Sequence, residues 1–470
     1  MKIMGSKLII LGLAGFALGA CTKATTTEKP NVVIILADDL GWGDVSYHGS
    51  TIKTPNIDRI ARDGIEMDRF YAAPISSPSR AGLMTGRYPS RFGFREAVIP
   101  PWREDGLDEN ECTIADVLGE NGYSNRAIVG KWHLGHTRKA HYPLNRGFTH
   151  FYGHLNGAIE YFTHNREGEL DWHNDWESCY DKGYSTDLIA KEAVRCIGEY
   201  SKEKNPYFLY VAFNAPHTPY EVPDDELVEH ISLNEFNALE NKKDKDGWRY
   251  RAMVTRMDKG IGHILEAIEA SGQMDNTIIL FMSDNGGVPN MEPYSNSGPL
   301  RGYKFDEWDG GVRVAAAIYW KNGFKQGGRK LDQVTGIVDI LPTLADIIGV
   351  NKSPKHPYDG LSVYSVLKGE QESFDRDMYL GLGAAVNHDW KFILAGRNPG
   401  LGLKEDFLVD YANNPFEEDQ KALPENDEIK EKMKVYIQKY DTITPSVPEV
   451  PYGKGKAGFV APKEWKVTKP

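Results

Sequence analysis

Short runs of consecutive apolar residues alternate along this chain with longer stretches in which apolar positions recur every three or four residues. The first run, Val32–Leu36, contains no polar position, the pattern of a strand buried on both faces. Comparable runs, some less apolar, lie at Ser124–Val129, Tyr207–Phe213, Thr277–Met282 and Val314–Tyr319. Between them Thr54–Asp63, Thr186–Tyr200 and Arg249–Ala270 carry the helical period. In the last of these Met253, Met257, Ile261, Ile264, Leu265 and Ile268 share one face. Strand and helix alternating in this way predict an α/β fold, with a large, mostly parallel sheet sandwiched by helices.

The pattern changes near Lys368, after a helix expected at Asp339–Ile348 and a loop around Pro354–Pro357. Met378–Leu380, Trp390–Leu394 and Phe407–Tyr411 read as short strands. A turn at Asn413-Asn414-Pro415 and an amphipathic helix at Glu425–Tyr440 follow. This is a smaller C-terminal α+β subdomain of antiparallel strands and one helix. The tail from Thr444 to Pro470, rich in Pro, Gly and Lys, is either a strap over the surface or disordered. At the other end Lys2 and Lys7 flank the start of an apolar run, Leu8–Leu18, too short for a comfortable membrane span. It reads as an export signal. Leu18-Gly19-Ala20-Cys21 resembles a bacterial lipoprotein cleavage box, which implies lipidation of Cys21 and a periplasmic or cell-surface location. The expected division is a signal peptide at 1–20, a tether at 21–28, a catalytic domain at 29–368, the subdomain at 369–443 and an extended tail at 444–470.

Parallel sheets hold ligands beyond the carboxyl ends of their strands. Four of the expected strands deliver polar side chains there: Asp38 and Asp39 after Leu36, Lys131 and His133 after Val129, His217 after Phe213, and Asp284 and Asn285 after Met282. One such case is ordinary loop polarity; four suggest a common site. Asp38, Asp39, Asp284 and Asn285 offer only oxygen ligands, the choice of a hard cation such as Ca²⁺ or Mg²⁺. Ser76-Ser77-Pro78-Ser79-Arg80 reads as a turn into a helix, with Pro78 in the first turn. Ser76 stands at the helix entrance, where free N–H groups favour an oxyanion, and Arg80 follows one turn later. The net charge of −12 argues against nucleic acid as a partner. Cys112, Cys179 and Cys196 would remain after lipidation, an odd number that does not make a disulfide framework. Cys196 shares an apolar helix face with Ile189, Ala193 and Ile197 and reads as a buried thiol.

The stretch from Ser76 through Ala81-Gly82-Leu83-Met84-Thr85-Gly86-Arg87 resembles the sulfatase signature of the alkaline phosphatase superfamily, in its serine-type branch. Gly130-Lys131-Trp132-His133-Leu134-Gly135, Pro216-His217-Thr218-Pro219, the segment around Lys304 and Trp308-Asp309-Gly310-Gly311 match the same family, which more often has glutamate where Asp309 stands. The resemblance covers roughly residues 29–440 and implies an alkaline phosphatase-like fold and a sulfuric ester hydrolase. It implies oxidation of Ser76 to formylglycine (3-oxoalanine) by a radical-SAM maturase, and one calcium ion held by Asp38, Asp39, Asp284, Asn285 and residue 76, with magnesium as the alternative. Lys131, Lys304 and Arg80 would neutralise the sulfate. One hydroxyl of the hydrated aldehyde would attack sulfur. His133 would be the base for the second hydroxyl, and His217 or Lys304 would protonate the leaving alcohol.

Gly147–His164 resembles the arm of the family that includes arylsulfatase B and galactosamine-sulfate sulfatases. Glu160, Tyr161, His164, Trp172 and His173 are the candidate sugar contacts. The implied substrate is a sulfated oligo- or polysaccharide carrying galactose- or N-acetylgalactosamine-type sulfate, from an algal galactan or a glycosaminoglycan. The competing readings are a phosphodiesterase or phosphonate hydrolase of the same superfamily, and a surface glycan-binding protein without turnover.

Overall fold

The computed structural model describes residues 28–470 apart from 96, 325–326, 351–353, 419–425, 468 and 470. The export signal and Cys21 lie outside the described residues. The large sheet is built from β1 (Asn31–Ala37), β2 (Ile65–Met67), β3 (Asn125–Lys131), β4 (His150–His154), β5 (His173–Asn174), β6 (Glu177–Ser178), β7 (Tyr207–Ala212), β8 (Thr277–Ser283), β9 (Ala316–Tyr319) and β10 (Arg329–Leu331). Their spatial order is β10-β2-β9-β8-β1-β7-β3-β4-β5-β6. The five central strands, β8-β1-β7-β3-β4, are all parallel. The flanks are mixed. β9 runs antiparallel to β8, because the chain leaves β8, loops at the carboxyl end and re-enters from that same end instead of crossing over.

The principal helices are α1 (Pro55–Asp63), α2 (Ser76–Thr85), α3 (Ser185–Tyr200), α4 (Lys242–Ala270), α5 (Ile340–Ile347) and α6 (Asp427–Asp441). Alternate residues of β1 feed two cores. Val33 and Ile35 pack with Ile57 of α1, Ile189 of α3 and Met257 of α4, and Val32 and Ile34 pack with Leu83 of α2 and Leu341 of α5. A continuous apolar strand with helices on both faces is what this burial requires. Helix α4 begins two turns before the apolar period does. Its first residues are mostly polar, and the Asn241 side chain caps it by accepting the Asp244 amide.

A second sheet of β11 (Met378–Gly381), β12 (Ala384–Val386), β13 (Trp390–Ile393) and β14 (Phe407–Asp410) is antiparallel throughout. Helix α6 buries Met433, Ile437 and Tyr440 and joins the sheet and the large domain in one core. The fully buried Lys391 on β13 binds Asp309 at 2.8 Å and Glu417 at 2.7 Å, tying this sheet to the segment behind the site. The tail runs back as a strap. Ser446 N donates to Arg91 O, Trp102 Nε1 to Tyr452 O, and the buried Trp465 donates through Nε1 to Arg166 O.

Candidate active site

The parallel register brings the acidic pairs together. Ala37 is level with Ser283, so Asp38 and Asp284 leave the sheet side by side. Asp38 N donates to Ala215 O and Asp284 N to Ala37 O, both at 3.0 Å. Asp39 takes a left-handed conformation at φ 67°, which aspartate tolerates better than most residues, and its amide donates to Asp284 Oδ1. Lys131 is the last residue of β3 and not the first beyond it. Gly130 before it has φ 112°, and a Cβ there would lie 2.0 Å from Ala212 O. Only glycine lets β3 and β7 close up beneath Lys131.

Ser76 is the first residue of α2, a helix buried along its whole length. Its Oγ lies 3.2 Å from Asp38 Oδ1 and 3.3 Å from Asn285 Oδ1. Each buried cation is matched to a buried carboxylate. Arg80 holds Asp284 through Nε at 3.1 Å and Nη2 at 2.8 Å, Lys131 holds Asp38 at 2.6 Å, and Lys304 holds Asp39 at 2.7 Å. Burial, aided by Asp284, pushes Asp38 up to about 7 against the pull of Lys131 and Arg80. Burial also acts on Asp39, but Lys304 overcomes it and holds that carboxyl well below its ordinary value. Lys131 is lowered by burial, whereas Lys304 is raised by Asp39 despite burial.

Both candidate histidines are neutral. Burial drives His133 well below the usual imidazole value and His217 down to about 3. His133 Nε2 faces Ile99 O at 3.2 Å, so Nε2 carries the proton and the buried Nδ1 is bare. The ring is wedged against Gly157, where a Cβ would come within 2.4 Å of it. Ser77 bridges His133 O and Ile99 N. His217 Nδ1 lies 2.6 Å from Thr218 O, which leaves Nε2 bare and 3.6 Å from Asp39 Oδ2.

This donor set suits a hard divalent cation. Asn285 Nδ2 is committed to Asp39 Oδ1 and Gly286 O, so its Oδ1 is fixed toward Ser76 and Asp38. The single Ser76 proton can serve only one of the two oxygens it faces. Carboxylate oxygens of Asp38 and Asp39 gather with His217 within 4.8 Å. Buried, mutually facing oxygens of this kind are what a cation such as Ca²⁺ or Mg²⁺ binds.

Ser76, His133, His217 and Lys304 line one open pocket together with Ile99–Pro101, Ala158, Arg166, Phe305 and Tyr452. None of the five expected sugar contacts lines it. Tyr161 is buried and its hydroxyl lies between Asn214 O at 2.5 Å and His217 O at 2.8 Å, so it braces the His217 turn. Trp172 is fully buried and stacks on His164 at 4.5 Å. His173 binds Asp171 at 3.1 Å, and the Asp171 carboxylate accepts the Leu155 and Asn156 amides. Glu160 is exposed, and its carboxylate accepts the Thr163 hydroxyl. Asp171, held by His173, thus anchors the loop at Leu155 and Asn156 that leads to the pocket-lining Gly157 and Ala158. Arg166 and Tyr452 had no signal in the sequence, because no motif surrounds either; Phe305 adjoins the matched segment around Lys304 but was not singled out.

The model of the family described as Sulfatase matches residues 30–350 of this chain. The mouse N-acetylgalactosamine-6-sulfatase is 31% identical over 396 residues, spanning 79% of this chain and 71% of that protein. Mouse arylsulfatase J is 34% identical over 351 residues, 73% of this chain; the match spans only 56% of that relative's length. A crystal structure of Ps i-CgsB in complex with a neocarrahexaose superposes with a TM-score of 0.77 at 29% identity, covering 90% of this chain and 95% of that one. Among the described residues no helix is long and apolar enough to cross a membrane. With the signature serine, the oxygen cluster and the three matched cations on one rim of the sheet, and with a family model covering more than half its length, this chain belongs to the sulfatase family.

Proposed function

We propose that this sulfatase hydrolyses sulfate esters on sulfated oligo- or polysaccharides, using a formylglycine formed from Ser76. The observation that carries the reading is the place of Ser76 Oγ, at the mouth of α2 and within 3.3 Å of both Asp38 and Asn285 oxygens, in an open pocket. Asp38, Asp39, Asp284 and Asn285 would hold the cation, calcium before magnesium, which supplies Lewis-acid charge for the sulfate oxygens. The hydrated formylglycine supplies the nucleophile and the means of releasing sulfate. Arg80, Lys131 and Lys304 hold the acidic residues in place and offset the charge of the incoming anion. His133, neutral with a bare Nδ1, accepts a proton. His217 must gain a proton before it can donate one to the leaving alcohol, and an anion beside it favours that. Lys304 keeps its proton against Asp39 and acts as fixed positive charge.

The galactose- or N-acetylgalactosamine-type substrate is supported by the relatives, one named for N-acetylgalactosamine 6-sulfate and one bound to a carrageenan oligosaccharide. In this reading 29–368 carries the chemistry, 369–443 buttresses it, and a lipid on Cys21 tethers the protein outside the cytoplasm. The test is peptide mass spectrometry across Ser76 after expression with a serine-type maturase, paired with sulfate release from aryl and galactosyl sulfates. Conversion with sulfate release is expected. An unmodified serine beside a competent maturase, or faster cleavage of the matching phosphate diester, would overturn the reading.

A further inference from the structure

Lys131, Lys304 and Arg80 are each bound to a buried carboxylate, and of these only Lys304 lines the pocket; the other cation that lines it is placed differently. Arg166 lines the same pocket as Ser76. Its Nε is buried without a hydrogen-bond partner among the described residues. Its nearest carboxylate is that of the adjacent Glu167, 3.5 Å from Nη2 and 43% exposed, a pair that solvent screens.

The backbone beneath it is held firmly. Arg166 pairs with Glu169 in a small hairpin, and its carbonyl accepts Trp465 Nε1 at 3.0 Å. Glu464 N donates to Glu169 Oε2 at 3.1 Å. The same tail places Tyr452 on the pocket, and Tyr452 and Phe305 are both exposed there, Tyr452 packed edge-to-face with Trp102 and Phe305 beneath Lys304 Nζ. A guanidinium on a clamped hairpin, with no buried counter-charge among the described residues, is arranged for an anion that the ligand brings. The sulfate undergoing hydrolysis already faces Lys304 beside Ser76, with Arg80 and Lys131 buried behind the acidic cluster.

We propose that Arg166 forms a subsite for a second anionic group of the substrate, a sulfate or a uronate carboxylate on the sugar that carries the scissile ester or on its neighbour. The preferred substrate is then a multiply charged oligosaccharide and not a singly sulfated neutral one. This rests on the sulfatase reading above.

The experiment uses the full-length protein with Ser76 converted. The probes are 4-nitrophenyl sulfate, a monosulfated neutral galactose disaccharide, a disulfated one, and a monosulfated disaccharide with a uronate. Arg166→Ala is expected to lower kcat/KM on the doubly charged probes by about 10- to 100-fold, chiefly through KM, and to leave the two singly charged probes unchanged. Arg166→Lys should recover part of the loss, since it restores charge without the fork. Arg166→Gln, which keeps most of the side chain, guards against a misfolded alanine variant. Whichever doubly charged probe responds identifies sulfate or carboxylate as the second anion. Equal losses on all four probes, or none on any, would overturn the subsite. A converted wild-type enzyme that releases sulfate from none of them would instead remove the sulfatase reading, and the subsite with it.

Discussion

Replacing Gly157 by alanine tests whether His133 takes part in the chemistry. The new Cβ would lie 2.4 Å from both Cε1 and Nε2 of His133, where 3.4 Å or more is ordinary contact, so the ring must retreat by about 1 Å. Gly157 is not among the residues with positive φ, so the alanine backbone is unstrained and the clash is the whole perturbation. Displacement of the ring breaks its 3.2 Å contact with Ile99 O and moves Nδ1 off its present line. A shift of that size in a reacting group costs about 100-fold in rate, or about 2.7 kcal/mol of barrier. The assay is kcat on 4-nitrophenyl sulfate with thermal unfolding measured alongside. Gly198→Ala, on α3 with nothing within 4 Å of the added carbon, is the control. Gly157→Ala is expected to lose about two orders of magnitude in kcat with little change in KM, and to add nothing when His133 is already alanine. A loss as large in the His133→Ala background as in the wild type would refute action through His133, as would a kcat within about threefold of wild type.

Three other outcomes follow from the same geometry. Lys391→Met removes the counter-charge shared by Asp309 and Glu417, both fully buried, leaving Asp309 only the longer Arg313 pair, and should cost about 3–5 kcal/mol in a urea titration. Neutralising both acids in the same chain (Asp309→Asn, Glu417→Gln) should restore much of it, and a single-variant loss below about 1 kcal/mol would show that the cluster does not bear on stability. Glu307 is pushed up to about 7 by burial, so the folded state binds its proton more tightly than the unfolded chain does. Stability should therefore fall as pH rises from the ordinary carboxyl value through 7, and Glu307→Gln should flatten that slope and stabilise at pH 8 by on the order of 2–3 kcal/mol. An unchanged slope would rule out Glu307 as its source. Exhaustive chelation should lower the unfolding temperature, and Ca²⁺ at about 100 times its Kd should return about 2.7 kcal/mol; no shift would mean that the oxygen cluster binds no structural cation.

Most parts of the site legible in the sequence share one property: they lie within five residues past the end of an apolar strand or at the entrance of a helix. Asp38, Asp284 and His217 could be read because strand ends in a parallel sheet converge by construction, and Ser76 because its helix begins where Pro78 allows. Four of the five central strands were legible for the same reason, since runs buried on both faces are mostly apolar; β4, with histidine at both ends and glycine within, was not. The direction of β9 was not legible. Ala316–Tyr319 is as apolar as a parallel strand, and only the path of the 284–313 loop decides which way it runs. Ala384–Val386 was missed because three residues between tight turns hold too little period to register.

The sugar-facing side shows the opposite case. Trp172, His173, His164 and Tyr161 have the composition of a carbohydrate site, yet they are buried, Trp172 stacked on His164 and the others bonded to Asp171, Gly183 and Asn214. Composition cannot tell an aromatic that stacks on a sugar from one that stacks on a histidine, because both demands are met by the same flat ring. What separates them is exposure, and exposure at this pocket is set by a tail of Pro, Gly and Lys residues that carries no periodic signal at all. Trp465 is buried nearly 300 residues downstream of the hairpin it pins, so the position of Arg166 depends on a contact that no local window contains. The acid cluster and the signature serine sit at the ends of regular elements, where pattern predicts geometry. Substrate choice is delegated to loops and to the strap that holds them, so relatives can share the first and differ in the second.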